Sequence, residues 1–291
     1  MNFPRLKKAL ITAGALVALD GAIGCSNEPD EDLVVNAHFV SFMDTSASLS
    51  CSGGNPCSSR LVIDAAGHVS NGQDTGMLSP ADTKHFAVLA TGSEFIAALR
   101  SGKDCHPTSD GASYLSIRVA PSVEVTGSAS CSGIVADITN AADTLAAQAF
   151  GYDPPGLPIV WSDPTPARIA EPAVFQGFDL LRTPVDCPDG EQCVTGTSVS
   201  DEGFIASGNA HGQVPEQALA DFAAQVVSPS TLAALMQEVP CAPSATETAT
   251  LRLGVAKGID LVADVAGCED GPVAELLEAA ADLVTHHAEV R

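Results

Sequence analysis

Positive charge is scarce in this chain. Its 291 residues hold 13 Lys and Arg against 36 Asp and Glu, a formal net charge of −23. With residues 1–24 set aside, ten basic residues face 35 acidic ones, and Lys84, Lys103 and Lys257 are the remaining lysines. Such a surface repels phosphate backbones and anionic headgroups, which excludes nucleic acid as a general partner. Aromatics are few as well, one Trp, two Tyr and ten Phe. Any core must therefore rest on Leu, Val, Ile and Ala with a few Phe. The N-terminal apolar stretch, Ala9 to Leu19, is too short at 1.5 Å per residue to cross a hydrocarbon layer of about 30 Å. Motifs are lacking too. There is no H-E-x-x-H, C-x-x-C, G-x-S-x-G or phosphate-cradling glycine loop.

What is present is a ruler of cysteines. Cys51 and Cys57 lie six positions apart, as do Cys187 and Cys193. Cys57 to Cys105 and Cys193 to Cys241 are both 48 positions, while Cys105 to Cys131 spans 26 and Cys241 to Cys268 spans 27. Cys25 stands apart from both sets of four. The spacing implies two copies of a four-cysteine module, and an oxidising compartment in which eight cysteines pair.

Residues 1–24 have the parts of a secretory signal: Arg5, Lys7 and Lys8, then the apolar stretch. The segment ends Ala22-Ile23-Gly24-Cys25, which resembles the lipobox of bacterial lipoproteins, with Ala22 where the family usually has Leu and Asp20 just upstream. The resemblance implies that Cys25 is lipidated and becomes the mature N-terminus in a bacterial cell envelope. Two or three acyl chains would anchor it to a membrane durably. Ser26, rather than Asp, leans toward the outer membrane. Residues 25–32 then read as an acidic tether.

Sliding the chain on itself by 136 positions matches the two halves without a gap from about residue 33 to Cys105. Phe39, Phe42 and Phe86 fall on Phe175, Phe178 and Phe222, and Gly54, Gly67, Gly72 and Gly76 fall on Gly190, Gly203, Gly208 and Gly212. After a small insertion, Val135-Ala136 falls on Val273-Ala274. Residues 33–152 are expected as module 1, 153–168 as a proline-rich, semi-rigid linker containing Trp161, and 169–291 as module 2.

The expected fold class is α+β, two tandem homologous modules, each a disulfide-braced antiparallel sheet with two helices in the order β-β-β-α-β-β-α. Ala37 to Phe42 reads as a first strand. Arg60 to Ile63 and His68 to Ser70 form a hairpin whose Gly67, like Gly203, needs a positive φ. Ser79-Pro80 with Asp82 opens a helix that Thr91-Gly92-Ser93 interrupts. Tyr114 to Val119 alternates as a half-buried strand, Val123 to Ala129 pairs with it, and Val135 to Phe150 and Val273 to His287 close the modules. This order suggests the pairings Cys51–Cys57, Cys105–Cys131, Cys187–Cys193 and Cys241–Cys268. The short loops would contribute about 2 kcal/mol each and the long ones about 3.5.

Chemistry is less legible. Asp44, Ser46 and Ser48 form a D-x-S-x-S that resembles the metal site of von Willebrand A domains, but a disulfide loop follows where that family has a helix. The second copy has Leu180-Leu181-Arg182, without an equivalent carboxylate. A polar strand end is the expectation there, with no metal and no cofactor. The seven histidines are not repeated between the copies and read as surface or cap residues. Asp186 to Glu191 reads as a turn within a disulfide rather than a calcium loop.

The function expected is binding rather than catalysis, through a protein partner engaged by two presented modules. Over about 90 residues of each copy the β-β-α-β-β-α pattern resembles emfourin-type protease inhibitors, which implies inhibition as one form of that binding. An envelope enzyme with its site in one diverged copy, and a structural lipoprotein without a discrete ligand, are the alternatives. A perturbed acid–base cluster in one copy would favour the enzyme, and a repeated exposed apolar patch the binder.

Overall fold

The computed structural model describes residues 32–48, 57–103, 105, 111–152, 164–187, 193–237, 240–241 and 244–290. The signal, Cys25, Cys51, His106, Trp161 and most of the spacer lie outside the described residues. The chain runs β1 (Asp32–Asn36), β2 (Ser41–Ser48), β3 (Cys57–Asp64), β4 (His68–Ser70), β5 (Thr75–Met77), α1 (Pro80–Ala90), α2 (Ser93–Ser101), β6 (Gly111–Ala120), β7 (Val123–Ser128) and α3 (Ile134–Ala149). The second half follows the same order. It comprises β8 (Arg168–Pro172), β9 (Gly177–Pro184), β10 (Thr195–Ser200), β11 (Phe204–Ser207), β12 (Ala210–Gln213), α4 (Glu216–Val226), α5 (Pro229–Leu235), β13 (Glu247–Ala256), β14 (Ile259–Asp264) and α6 (Gly271–His287), and ends in an added strand, β15 (Ala288–Val290).

The fold is α+β, with the helices packed on an antiparallel sheet. Local chemistry accounts for the elements. Ser79 caps α1: its Oγ accepts from the Asp82 amide at 3.1 Å and donates to the Asp82 carboxylate at 2.6 Å. The break at Thr91-Gly92 divides what was expected as one helix into α1 and α2, and Ser228-Pro229 divides α4 from α5, so among the described residues each half has three helices rather than two. Gly67 and Gly203 take φ of +88° and +82°, and each carbonyl accepts from a later amide, Leu78 at 2.9 Å and Val214 at 2.8 Å. Phe39 and Phe42 meet Phe86 edge-on at 5.8 and 5.2 Å. Phe175 and Phe178 meet Phe222 edge-on at 5.7 and 5.5 Å.

Three expectations need correction. The first strand of the large sheet starts at Ser41 and runs through Ser48, so Asp44 and Ser46 lie inside a strand paired on both sides, not at a polar strand end. A fourth strand, β5, follows the hairpin, and β12 repeats it. Asp32, expected in the tether, and Arg168, expected in the linker, are strand residues paired in a separate two-stranded ribbon of β1 and β8.

Residues 31–291 form one compact unit. Among the described residues its large sheet has 13 strands in the order β15-β12-β11-β10-β9-β13-β14-β7-β6-β2-β3-β4-β5, so the halves join edge to edge through β7 and β14. The seam is self-complementary under the 136-residue offset. Glu124 lies opposite its own counterpart Asp260, and in the ribbon Val34 lies opposite its counterpart Ala170. Thr126 donates to the Gly258 carbonyl at 3.0 Å, and the counterpart Val262 donates to Ser122 at 2.7 Å. Register-linked positions share a sheet face, and those linking Phe42, Ile117, Val125 and Ile259 put the helices of both halves on one side. Between sheet and helices lies one hydrophobic core, which Leu33, Val35, Ala167 and Ile169 of the ribbon join.

Among the described residues Cys105–Cys131, Cys187–Cys193 and Cys241–Cys268 are disulfide-bonded, the pairings that the expected order of elements suggested.

Candidate functional site

Because the halves share a frame, the informative positions are those where they differ. On β2 the helix-facing residues are Phe42, Asp44 and Ser46, two apart along the strand. Phe42 is wholly buried, but Asp44 puts a carboxylate where β9 has the buried Leu180. Directly opposite Asp44 are Leu61 on β3 and Leu115 on β6, and opposite Ser46 is Ser59. The hydroxyls of Ser46 and Ser59 lie 2.6 Å apart.

Over this end of the sheet passes α3. Asp143 and Ala147 flank its buried stripe, which includes Ala146, and with the capping Phe150 these residues line one hollow against the sheet. Between them and β2–β3 is a cavity of about 380 Å³, lined by Asp44, Leu61, Asp143, Ala147, Phe150 and Tyr152 among others. A tied rim closes one side. Tyr152 donates to the Asp74 carboxylate at 3.0 Å, Asn71 donates to the same oxygen at 3.3 Å, and Phe150 meets Tyr152 edge-on.

Burial, and then the nearby Asp143 carboxylate, push Asp44 up to about 6. Asp143 is exposed over much of its surface, but desolvation on the side toward the sheet raises it as well. The Oδ1 atom of Asp44 is buried without a hydrogen-bond partner among the described residues. Neither carboxylate forms an ion pair among the described residues. In the second half the counterpart of Asp143 is Ala281, so neither carboxylate is repeated. Chemically, the arrangement offers a half-buried negative charge beside an apolar wall, with hydroxyls at its edge.

A second polar cluster lies at the seam on the helix-free face. Arg252 bridges Glu124 at 2.7 Å and Asp260 at 2.9 Å and reaches the Tyr114 hydroxyl at 3.2 Å. It neutralises two carboxylates that the pairing of β7 with β14 sets face to face, and so has a structural role.

Of the residues singled out in the sequence, Asp44 and Ser46 reach the cavity, while the Ser48 side chain lies outside the described residues. No group of three His, Cys, Asp or Glu among the described residues could hold a metal ion. His68 sits on the surface beside Asp64, its Nδ1 2.9 Å from the carboxylate. His286 and His287 end α6. Asp143, Asn71 and Tyr152 were not singled out from the sequence. The signal for Asp143 was available, because a charge on the inward flank of a helix stands where the other copy has alanine.

No helix among the described residues is by itself long and apolar enough to cross a membrane. No protein-family model, no curated protein and no solved structure matches this chain.

Proposed function

We propose that this is a lipid-anchored protein of a bacterial cell envelope, held through Cys25 with the outer membrane favoured. On this reading its body is a duplicated module closed into an internal dimer, and its work is to bind a ligand in the cavity beneath α3. A signal ending in Ala22-Ile23-Gly24-Cys25, with an even number of other cysteines, supports the anchor. The one observation that carries the binding reading is the difference between the halves. Two copies with the same fold differ where one core leucine and one helix alanine are replaced by Asp44 and Asp143 around a cavity. Carboxylates that cost stability and bridge nothing are what a site retains for a ligand.

The test is occlusion. Ala147→Trp in the full chain fills the cavity from its helix wall. The wild type, incubated with envelope extract and with secreted proteases, is expected to retain a saturable ligand that this variant loses. Equal retention by both would place binding elsewhere. Lipidation is checked separately, by the mass of the N-terminal peptide and its loss in Cys25→Ser.

A catalytic use of the same pair is the second reading, favoured by an Asp44 carboxyl poised near 6, in the range a general acid needs. It predicts turnover of the retained compound, lost in Asp44→Asn.

A further inference from the structure

The cavity's chemistry narrows its ligand, on the premise that it is the binding site. We propose that it receives a primary ammonium on an aliphatic stem, supplied by a lysine side chain of a partner protein or by a free diamine. Asp44 on β2 and Asp143 on α3 bring two carboxylates to one hollow, and no cation among the described residues pairs with either. Arg60 also lines the cavity, but its Nε donates to Met43 Sδ at 3.1 Å, and Met43 is on the opposite face of the sheet from Asp44. The buried Oδ1 of Asp44 accepts from no donor among the described residues.

An ammonium group brings three donors and no acceptor, which matches a site made of acceptors. The Ser46 and Ser59 hydroxyls have acceptor capacity to spare at the same edge. Leu61, Ala146, Ala147 and Phe150 supply a wall against which methylenes lose water. Other ligand classes fit less well. A hard divalent cation needs six or more oxygens, and two carboxylates supply few of them. An anion meets like charge, and a neutral polyol leaves two negative charges uncompensated. The acidic surface of the whole chain draws cations toward the cavity.

Binding should strengthen as pH rises, because an ammonium is held by ionised carboxylates. The groups facing Asp44 are Asp143 from α3 and Asp74 with Tyr152 at the rim, while Arg60 lines the cavity from β3 but turns to Met43, and β6 opposes Asp44 with Leu115. Burial raises both Asp44 and Asp143, and the change is expected as pH rises through about 6, where Asp44 ionises.

Calorimetric titration of the full chain with 1,5-diaminopentane and with Nα-acetyl-lysine amide tests the assignment, 1,5-pentanediol being the neutral control. The expected result is saturable binding of an amine at pH 7.5, weaker at pH 5, absent for the diol and weakened about tenfold or more in Asp44→Asn and in Asp143→Asn. Preference for the acetylated lysine assigns a protein side chain, and preference for the diamine a free ligand. Binding of the diol equal to that of the diamine overturns the ammonium assignment. So does amine affinity unchanged in the Asn variants, or no amine binding by folded protein. If amines fail while Ala147→Trp still abolishes retention of an envelope ligand, the ammonium is wrong and the cavity stands as the site. If Ala147→Trp changes nothing, the cavity reading falls as well.

Discussion

Asp44 has a cost that can be measured without any ligand. Its pKa is raised from 3.8 to about 6 in the folded protein. The folded state therefore holds a proton there that the unfolded state releases first. This favours folding below about pH 3.8 and is lost as pH rises through about 6. A shift of that size corresponds to nearly 3 kcal/mol, and partial solvation brings the expected effect to about 1–2 kcal/mol. Asp44→Asn should be more stable than wild type by that amount at pH 7.5 and no more stable at pH 3.5, read from urea unfolding at both. Asp44→Leu, which copies Leu180, should gain at least as much at pH 7.5 while losing any cavity-dependent binding. At this scale the sequence was partly legible. Asp44 stood out in its D-x-S-x-S, but the metal reading drew attention along the strand to Ser48, whereas the partner lies across the core on α3. Two residues 99 positions apart that line one cavity leave no mark in local spacing.

The elements were easier to read where a strong local rule held. The α1 cap, the break at Thr91-Gly92 and the turn glycines Gly67 and Gly203 all rest on residues whose local chemistry permits few alternatives. The short β5 escaped because its three residues are exposed or half-buried and carry no apolar alternation. Its Gly76 nevertheless has a definite role. The Ala149 carbonyl at the end of α3 packs where a Cβ would project from Gly76, and the His287 carbonyl at the end of α6 packs likewise on Gly212. The closing helices are thus seated on equivalent glycines, 136 positions apart. Gly76→Ala and Gly212→Ala should each destabilise the fold by about 1–3 kcal/mol through displacement of a helix end. Thermal unfolding of the two variants checks this. Gly72→Ala is a useful comparison: its φ of +87° strains any side chain, but no atom lies near the added Cβ.

At the scale of the whole molecule, the repeat was plain in the sequence but the closure of the sheet was not. Nothing in local spacing marks Glu124 and Asp260 as facing each other, and Arg252, which compensates them, is 128 residues from Glu124. The pairing is isologous in character, as in a two-fold dimer, except that one linked chain supplies both sides. Its compensation is asymmetric, since the counterpart of Arg252 in the first half is Ser116. Arg252→Met should leave two facing carboxylates unpaired and lower stability by about 2–4 kcal/mol at pH 7.5. The loss should shrink at acid pH, where the carboxylates take up protons, as urea unfolding across pH would show.

Amide hydrogen exchange at the seam tests the joined sheet most directly. Thr126 and Val262 donate across it to Gly258 and Ser122. In the full chain their amides should exchange as slowly as those of Ile117 and Leu253 in the strand interiors, and be released in the same cooperative opening. Fast exchange at Thr126 and Val262, with Ile117 and Leu253 still protected, would mean two modules standing apart and would contradict the fused sheet.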